Sequence, residues 1–505
     1  MPRVCGPILG WRGQDGGSWR VSVMVAHRGG DVPAELSYGD GGRDSSPQTA
    51  PLRALGSIGG IDVFAADLSL PLAPAEQAVS YGFSGEDERW TLVLPAQGRA
   101  PRIAYASCNG FSLPGDMKKI ADKNALWRDV AREHARQPFH MLLLGGDQIY
   151  ADQLWDQIPE LARFNERPRA ERARRPAGAG LRRAIERFYA DLYASRFSQA
   201  EVAEALASMP TLMMWDDHDI FDGWGSYSPE EQASPVFQAI FAAARGAFAL
   251  FQLQTDPASP TARIPGQSSF NALLRFETGA VLVLDLRSER TQQQILSLES
   301  WNAVLAAVDA TQGLKHLLVM SSIPVLHPDM SFVERAFDLL PGQQGNEDDL
   351  HDQWLSYNHK TERLRFIHRL LDFAEAKGTR VTIVSGDVHV AALGVIQSER
   401  RPVRYVGADA ITQLTSSAVV HPPPARVVRY FLEQIGSQTQ EIDRDIEGEM
   451  QVFPGTNYRF VAERNWMTLD FDDKDRIWVN WRIENAPQPL TKVIHPCTPV
   501  AMPVA

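Results

Sequence analysis

Cysteine is nearly absent: 505 residues contain three, Cys5, Cys108 and Cys497, too few and too far apart for a disulfide framework. Long hydrophobic runs are missing as well. Stretches such as 141–144 and 280–284 fall far short of the roughly 20 apolar residues that span a bilayer. The apolar stretch at 4–11 is broken by Gly6, Pro7 and Gly10, so neither a secretory signal nor a membrane segment is expected, and a cytoplasmic location is. Positive charge is in deficit, with 50 Lys and Arg against 62 Asp and Glu and a formal net charge of −12. Such a surface repels polyanions, which argues against nucleic acid as a partner. A small anion is still admissible where bound cations invert the field in one cleft.

What is present is an ordinary folded chain, 44% hydrophobic and 22% charged, long enough for one large domain and a smaller one. Up to about residue 100 it reads as strands and turns: 19–26 and 61–68 alternate, 90–94 follows, and Gly39-Asp40-Gly41-Gly42 breaks the pattern. A small antiparallel β-sandwich over 1–98 is the expectation, with the linker 95–101 leading into a layered α/β domain over 99–505. Apolar spacing predicts helices over 117–136, 181–208, 293–310 and 361–377. The Arg-rich stretch 159–183, interrupted by Pro168 and Pro176, reads as a solvated loop or as a lid offering arginines to an anionic substrate. Near the end, 466–471 and 476–483 predict a hairpin around Asp472-Asp473-Lys474-Asp475, placed at the closing edge of the main domain.

In α/β sheets ligands bind beyond the carboxyl ends of the strands, and here polar residues recur at those positions. Residues 102–106 run into Ser107-Cys108-Asn109, and 140–144 into Gly145-Gly146-Asp147-Gln148-Ile149-Tyr150-Ala151-Asp152. Residues 211–215 run into Asp216-Asp217-His218-Asp219, and 381–384 into Ser385-Gly386-Asp387-Val388-His389. One aspartate after a strand is often a helix cap. Carboxylates, imidazoles, a phenol and a thiol converging on one edge would repel one another or stay unsatisfied, so a metal cluster is the economical account. A phenolate from Tyr150 and a thiolate from Cys108 favour a strongly Lewis-acidic ion such as ferric iron. In the dense run after Trp215, Asp217 is the expected metal ligand, with Asp222 as second choice, and His218 the expected donor of a proton to the leaving oxygen.

At these residues the sequence resembles the PhoD-like branch of the calcineurin-like metallophosphoesterase superfamily. The resemblance rests on Ser107-Cys108, the 146–152 block, Trp215-Asp216-Asp217-His218-Asp219 and Gly386-Asp387-Val388-His389, in that order. Asp285-Leu286-Arg287-Ser288 and the spacing of Asp352, Trp354 and Tyr357 support it. It implies a two-layer β core flanked by helices, the αββα arrangement, and a small N-terminal antiparallel sandwich. It also implies a binuclear or larger metal centre bridged by Asp147, with Cys108 and Tyr150 on ferric iron and Asp217, Asp387 and His389 as further ligands. Calcium would be the divalent partner, with zinc or manganese as alternatives. His218 matches the catalytic histidine, and Arg287 would grip phosphate oxygens. The chain departs from the wider superfamily in having Ser107-Cys108-Asn109 where an Asp-x-His pair is usual, and no histidine in 319–324.

The reaction so implied is hydrolysis of a small phosphoric ester, monoester or diester, by in-line attack of a metal-bound hydroxide. A phosphotriesterase with the same centre and a non-catalytic, metal-stabilised binding protein are the alternatives. A serine hydrolase using Ser107 or Ser385 lacks the Gly-x-Ser-x-Gly elbow. The sequence carries no signal of oligomeric state.

Overall fold

The computed structural model describes residues 3–30, 32–39, 47–260, 264–265, 268–328, 354, 359–399, 404–424 and 426–500. Seven short parallel strands form its centre, divided between two sheets. Strands β1 (Ile103–Ala106), β2 (Met141–Gly145) and β3 (Thr211–Met214) lie side by side in a ten-stranded sheet. Strands β4 (Gly279–Val283), β5 (His316–Met320), β6 (Arg380–Ser385) and β7 (Ala410–Thr415) lie in a nine-stranded one.

Two-residue alternation sorts their side chains. Tyr105, Leu143 and Met214 of the first sheet share one buried cluster with Val281, Leu318, Val384 and Leu414 of the second, so the sheets pack face to face. The other faces meet helices: Leu142 and Leu144 join a cluster with Ala179–Phe197 and Pro235–Phe251, and Leu317, Val319 and Ile383 join one with Leu298–Asp309 and Lys360–Lys377. This is the expected αββα arrangement, built from near-continuous apolar strands as parallel sheets buried on both faces require.

The N-terminal antiparallel sheet is present as four strands, Gln48–Pro51, Glu35–Gly39, Gln77–Phe83 and Trp90–Leu94. Arg3–Asp15, Ser18–His27, Arg53–Ile58 and Ile61–Pro71 instead extend the ten-stranded sheet, Arg3–Asp15 pairing with β3 at Gly10 and Thr211. A division of the chain at residue 98 is therefore kept as a proposal about its organisation, for the two sides share a sheet. The tail hairpin forms as Asn465–Phe471 and Ile477–Ile483, but the first of these pairs with β1 and Leu490–Ile494 takes the edge.

Two expected helices are shorter or divided. Residues 117–136 give a helix only over Ala125–Arg136, because 119–124 is polar apart from Ile120 and Ala121. Residues 181–208 break after Phe197, where buried Arg196 bonds to the Gln199 carboxamide 2.6 Å away and Gln199 turns extended. The stretch 159–183, read as a loop or lid, contains the helices Pro159–Asn165 and Arg169–Arg172, and Arg169 and Arg172 pair with Glu231. No helix among the described residues is long and apolar enough to cross a membrane.

Candidate metal centre

All seven parallel strands release the chain toward the same edge, and the segments after them interlock. The Cys108 N–H donates to the Gly146 carbonyl (3.2 Å) and the Asn109 N–H to the Asp147 carbonyl (2.7 Å), tying the β1 and β2 loops together. In the second sheet the Gly386 N–H donates to the Ser322 carbonyl (3.1 Å), tying the β5 and β6 loops together, and across the sheets the Val419 N–H donates to the Ser107 carbonyl (2.9 Å). Cys108, Asp147, Asp387 and His389 all have positive φ, between 52° and 66°. Left-handed backbone costs a non-glycine residue about 1–3 kcal/mol, so four such residues on one edge mark a place where geometry is held against local preference.

These turns bring acidic and basic side chains into one buried cluster. Donor atoms of Cys108, Asp147 and His389 lie within 4.8 Å of one another, and so do those of Asp147, Asp217 and His218. A third group, Asp147, Asp216, Asp217 and Asp387, is equally tight. Asp147 belongs to all three. Tyr150 completes the first group, its hydroxyl 3.2 Å from His389 Nε2 and its ring stacked on His218 at 4.4 Å.

The electrostatics are those of a site designed for cations. Burial, then the neighbouring carboxylates of Asp147 and Asp387, pushes the Cys108 thiol well above its ordinary range. Burial likewise raises Tyr150 and Asp147 and lowers His389. Asp147 Oδ1 is buried with no hydrogen-bond partner, a costly state for a carboxylate oxygen unless an ion meets it. A bound cation reverses the upward shifts, favouring thiolate, phenolate and carboxylate together, and reinforces the downward one at His389, where the neutral imidazole is the ligand form. The residues fit metal binding.

Around the cluster runs a scaffold of fixed polar contacts. Asp219 accepts from the backbone of Asp216 (2.9 Å) and Ile149 (3.3 Å) and from the Gln252 carboxamide (2.8 Å), locking the β2 and β3 loops to each other. Asp216 accepts from Ser322 Oγ (2.8 Å) and from Arg287. His218 Nδ1 is 2.9 Å from Asp152, and this carboxylate with Asp217 and Asp147 outweighs the effect of burial and raises the imidazole well above its ordinary value.

A profile of PhoD-related phosphatases matches residues 88–344 and 337–442, which contain every residue of this cluster. The chain belongs to the PhoD-related phosphatase family. An uncharacterized protein of Saccharomyces cerevisiae is 27% identical over 572 residues, covering 92% of this chain and 81% of its own. Among solved structures, PhoD superposes with a TM-score of 0.59 at 14% identity, over 100% of this chain and 94% of that one. A purple acid phosphatase from yellow lupin seeds gives 0.52 at 10% identity, over 97% of this chain and 74% of that one. Both likenesses are of fold.

For a PhoD-related phosphatase the sequence names most of the cluster: Cys108, Asp147, Tyr150, Asp217, His218, Asp387 and His389 meet. Asp222 stays outside, its side chain 61% exposed. Arg287 is near and fully buried, with its guanidinium on Asp216, Asp217 and the Trp224 carbonyl. Three neighbours escaped the sequence reading. Asp216 precedes Asp217 in one run, where sequence does not say which carboxylates turn inward, and Asp152 ends the 146–152 block. His421, stacked on His389 at 3.9 Å and on Tyr150 at 5.4 Å, follows the end of β7, where the strand-end rule would have found it. Asp352 and Tyr357 lie outside the described residues, as does His351; Trp354 is buried against Trp301 and Phe366.

Proposed function

We propose that this phosphoesterase hydrolyses small phosphoric monoesters or diesters at a centre whose donor groups, with Asp147 common to them, would hold two metal ions. The observation that carries the reading is the membership of Asp147 in all three donor groups. Cys108, Tyr150 and His389 on one side supply a thiol, a phenol and an imidazole, a set suited to ferric iron. Asp216, Asp217 and Asp387 on the other side are all oxygen donors, the hard set that suits calcium, with manganese or zinc as alternatives. When bound, such ions supply Lewis acidity, acidifying water and offsetting charge on the phosphoryl group.

The chain's own residues do the rest. Asp152 accepts from His218 Nδ1 and holds the ring, leaving Nε2 as the atom that delivers a proton to the leaving-group oxygen. The Asp152 carboxylate, which does not belong to the donor groups, favours the protonated ring. Arg287 and Ser322 hold Asp216 from behind, a positioning role that replaces the phosphate contact expected for the arginine. The stacked rings of Tyr150, His389 and His421 cover the sulfur-containing side and exclude water from it.

The alternatives differ in what they predict. A triesterase with the same centre would turn over aryl triesters faster than monoesters or diesters. A non-catalytic binder would hydrolyse none of the three. Comparison of kcat/KM for aryl mono-, di- and triesters under one metal loading tests the proposal, and preference for triesters, or no turnover at all, would overturn it.

A further inference from the structure

Strand β6, which carries Asp387 beyond its carboxyl end, opens at its other end onto a cavity of about 650 Å³. Arg380, the first residue of β6, lines it, and Asp387 follows the end of the same strand. At about 3.3 Å per residue the two lie roughly 20 Å apart. The opposite wall comes from the other sheet: Lys474 and Arg476 from the tail hairpin, and Lys492 and His495 from Leu490–Ile494 and the residue after it. The cavity thus sits in the seam between the sheets.

Its charge is at odds with the chain. Arg380, Lys474, Arg476 and Lys492 are four cationic side chains, and among the described residues no aspartate or glutamate lines the space, although the protein carries a net charge of −12. The acidic hairpin turn nearby is already committed: Asp472 to Arg476 (2.6 Å), Asp475 to Lys315 (2.5 Å), and Asp473 to Arg99. Asp409, whose field reaches Arg380, accepts from Gln397 at 2.8 Å. Lys474 and Lys492 therefore have no ion-pair partner among the described residues. Arg380 donates to the Gly407 carbonyl (2.6 Å) and Thr412 Oγ1 (2.8 Å), which fixes its guanidinium, while its Nε is buried with no hydrogen-bond partner.

We propose that this cavity is a second, non-catalytic site that binds a small anion bearing two or more phosphoryl groups. Asp472 already compensates Arg476, and one monoanion would leave two of the other three cations, Arg380, Lys474 and Lys492, uncompensated, whereas a diphosphoryl group carries charge enough for more of them. The volume falls in the range of about 300–1,000 Å³ typical of small-molecule sites and exceeds what a single phosphate fills. Val406, Val493, Ile494 and Pro496 form an apolar wall for an organic portion of the ligand. Nucleic acid does not fit the same pattern, since the chain carries a net charge of −12 and these four cations line a cavity instead of forming a stripe.

Methylenediphosphonate, whose P–C–P bridge resists hydrolysis, is the probe, titrated calorimetrically into the full-length, metal-loaded protein. The native protein should bind two equivalents, one at the metal centre and one in the cavity. Lys474→Gln with Lys492→Gln should remove one equivalent, or weaken it by about tenfold or more, with aryl phosphate turnover unchanged. Asp147→Asn should remove the other and keep the cavity site. Lys492→Arg, which preserves charge, should retain both, and Lys474→Gln alone, at an exposed position, should weaken the cavity site without any question of folding. A single equivalent in the native protein that vanishes in Asp147→Asn, or two equivalents unaltered by the lysine changes, would overturn the proposal.

Discussion

Replacing Asp147 by asparagine keeps its size and removes one anionic oxygen from the carboxylate common to all three donor groups. The expected result is loss of bound metal together with activity, by more than the roughly 10–100-fold typical of a residue that only supports a ligand. Elemental analysis beside kcat on an aryl phosphate checks it. His218→Ala should behave differently: kcat falls by roughly 10² to 10⁴-fold, the scale of a lost general acid, and metal content stays. Equal loss of metal and activity in that variant would make His218 a ligand instead, a role its closeness to Asp147 and Asp217 also permits. Arg287→Lys cannot reproduce the planar fork that meets Asp216, Asp217 and the Trp224 carbonyl, so metal affinity should fall by roughly 10–100-fold while KM for substrate changes little. A large rise in KM with metal affinity intact would restore the phosphate-gripping role.

The elements that hold the site are short, buried and shared between layers. Leu318, in β5, is fully buried in the core between the two sheets, and Leu318→Ala should cost about 2–5 kcal/mol in chemical denaturation, whatever the metal content. The metal-bearing edge was legible because apolar strands ending in polar residues recur along the chain, and the strand-end rule converts that one-dimensional pattern into a common location. The Arg287 role was not legible. A sequence places an arginine after β4 but does not say whether its guanidinium faces substrate or the back of a carboxylate; that depends on the approach of the two sheets, which brings Asp216 against it. The same limit explains the N-terminal region. Alternation in 19–26 and 61–68 is the same for a strand in a separate sandwich and for one that extends the catalytic sheet, and only the pairing of Arg3–Asp15 with β3 distinguishes them. Strand positions were readable where periodicity sufficed, and partners were not, because pairing is a long-range choice.

At the scale of the whole molecule, the proposed metal ligands are buried where the two sheets meet, so chelation should lower Tm as well as activity. Acid should act by a separate route. His134 and His316 lie away from the centre, and burial holds both at about 4. Unfolded histidine takes up its proton near pH 6.5 and the native protein does not until about pH 4. Their contribution is therefore fully present above pH 6.5 and lost as pH falls toward 4, up to roughly 3 kcal/mol for each. Urea midpoints at pH 7.5 and 5.0 on the metal-loaded protein should show the drop, and His316→Asn should diminish it; a flat profile would rule this route out. The central claim is that one cluster on the shared strand edge holds two metals across Asp147. Its most direct test is elemental analysis of the purified protein, with aryl phosphate hydrolysis measured before chelation, after it and after metal is restored. One iron and one divalent ion per chain, with activity that disappears and returns with the metal, is the predicted result; full activity in a metal-free protein would contradict it.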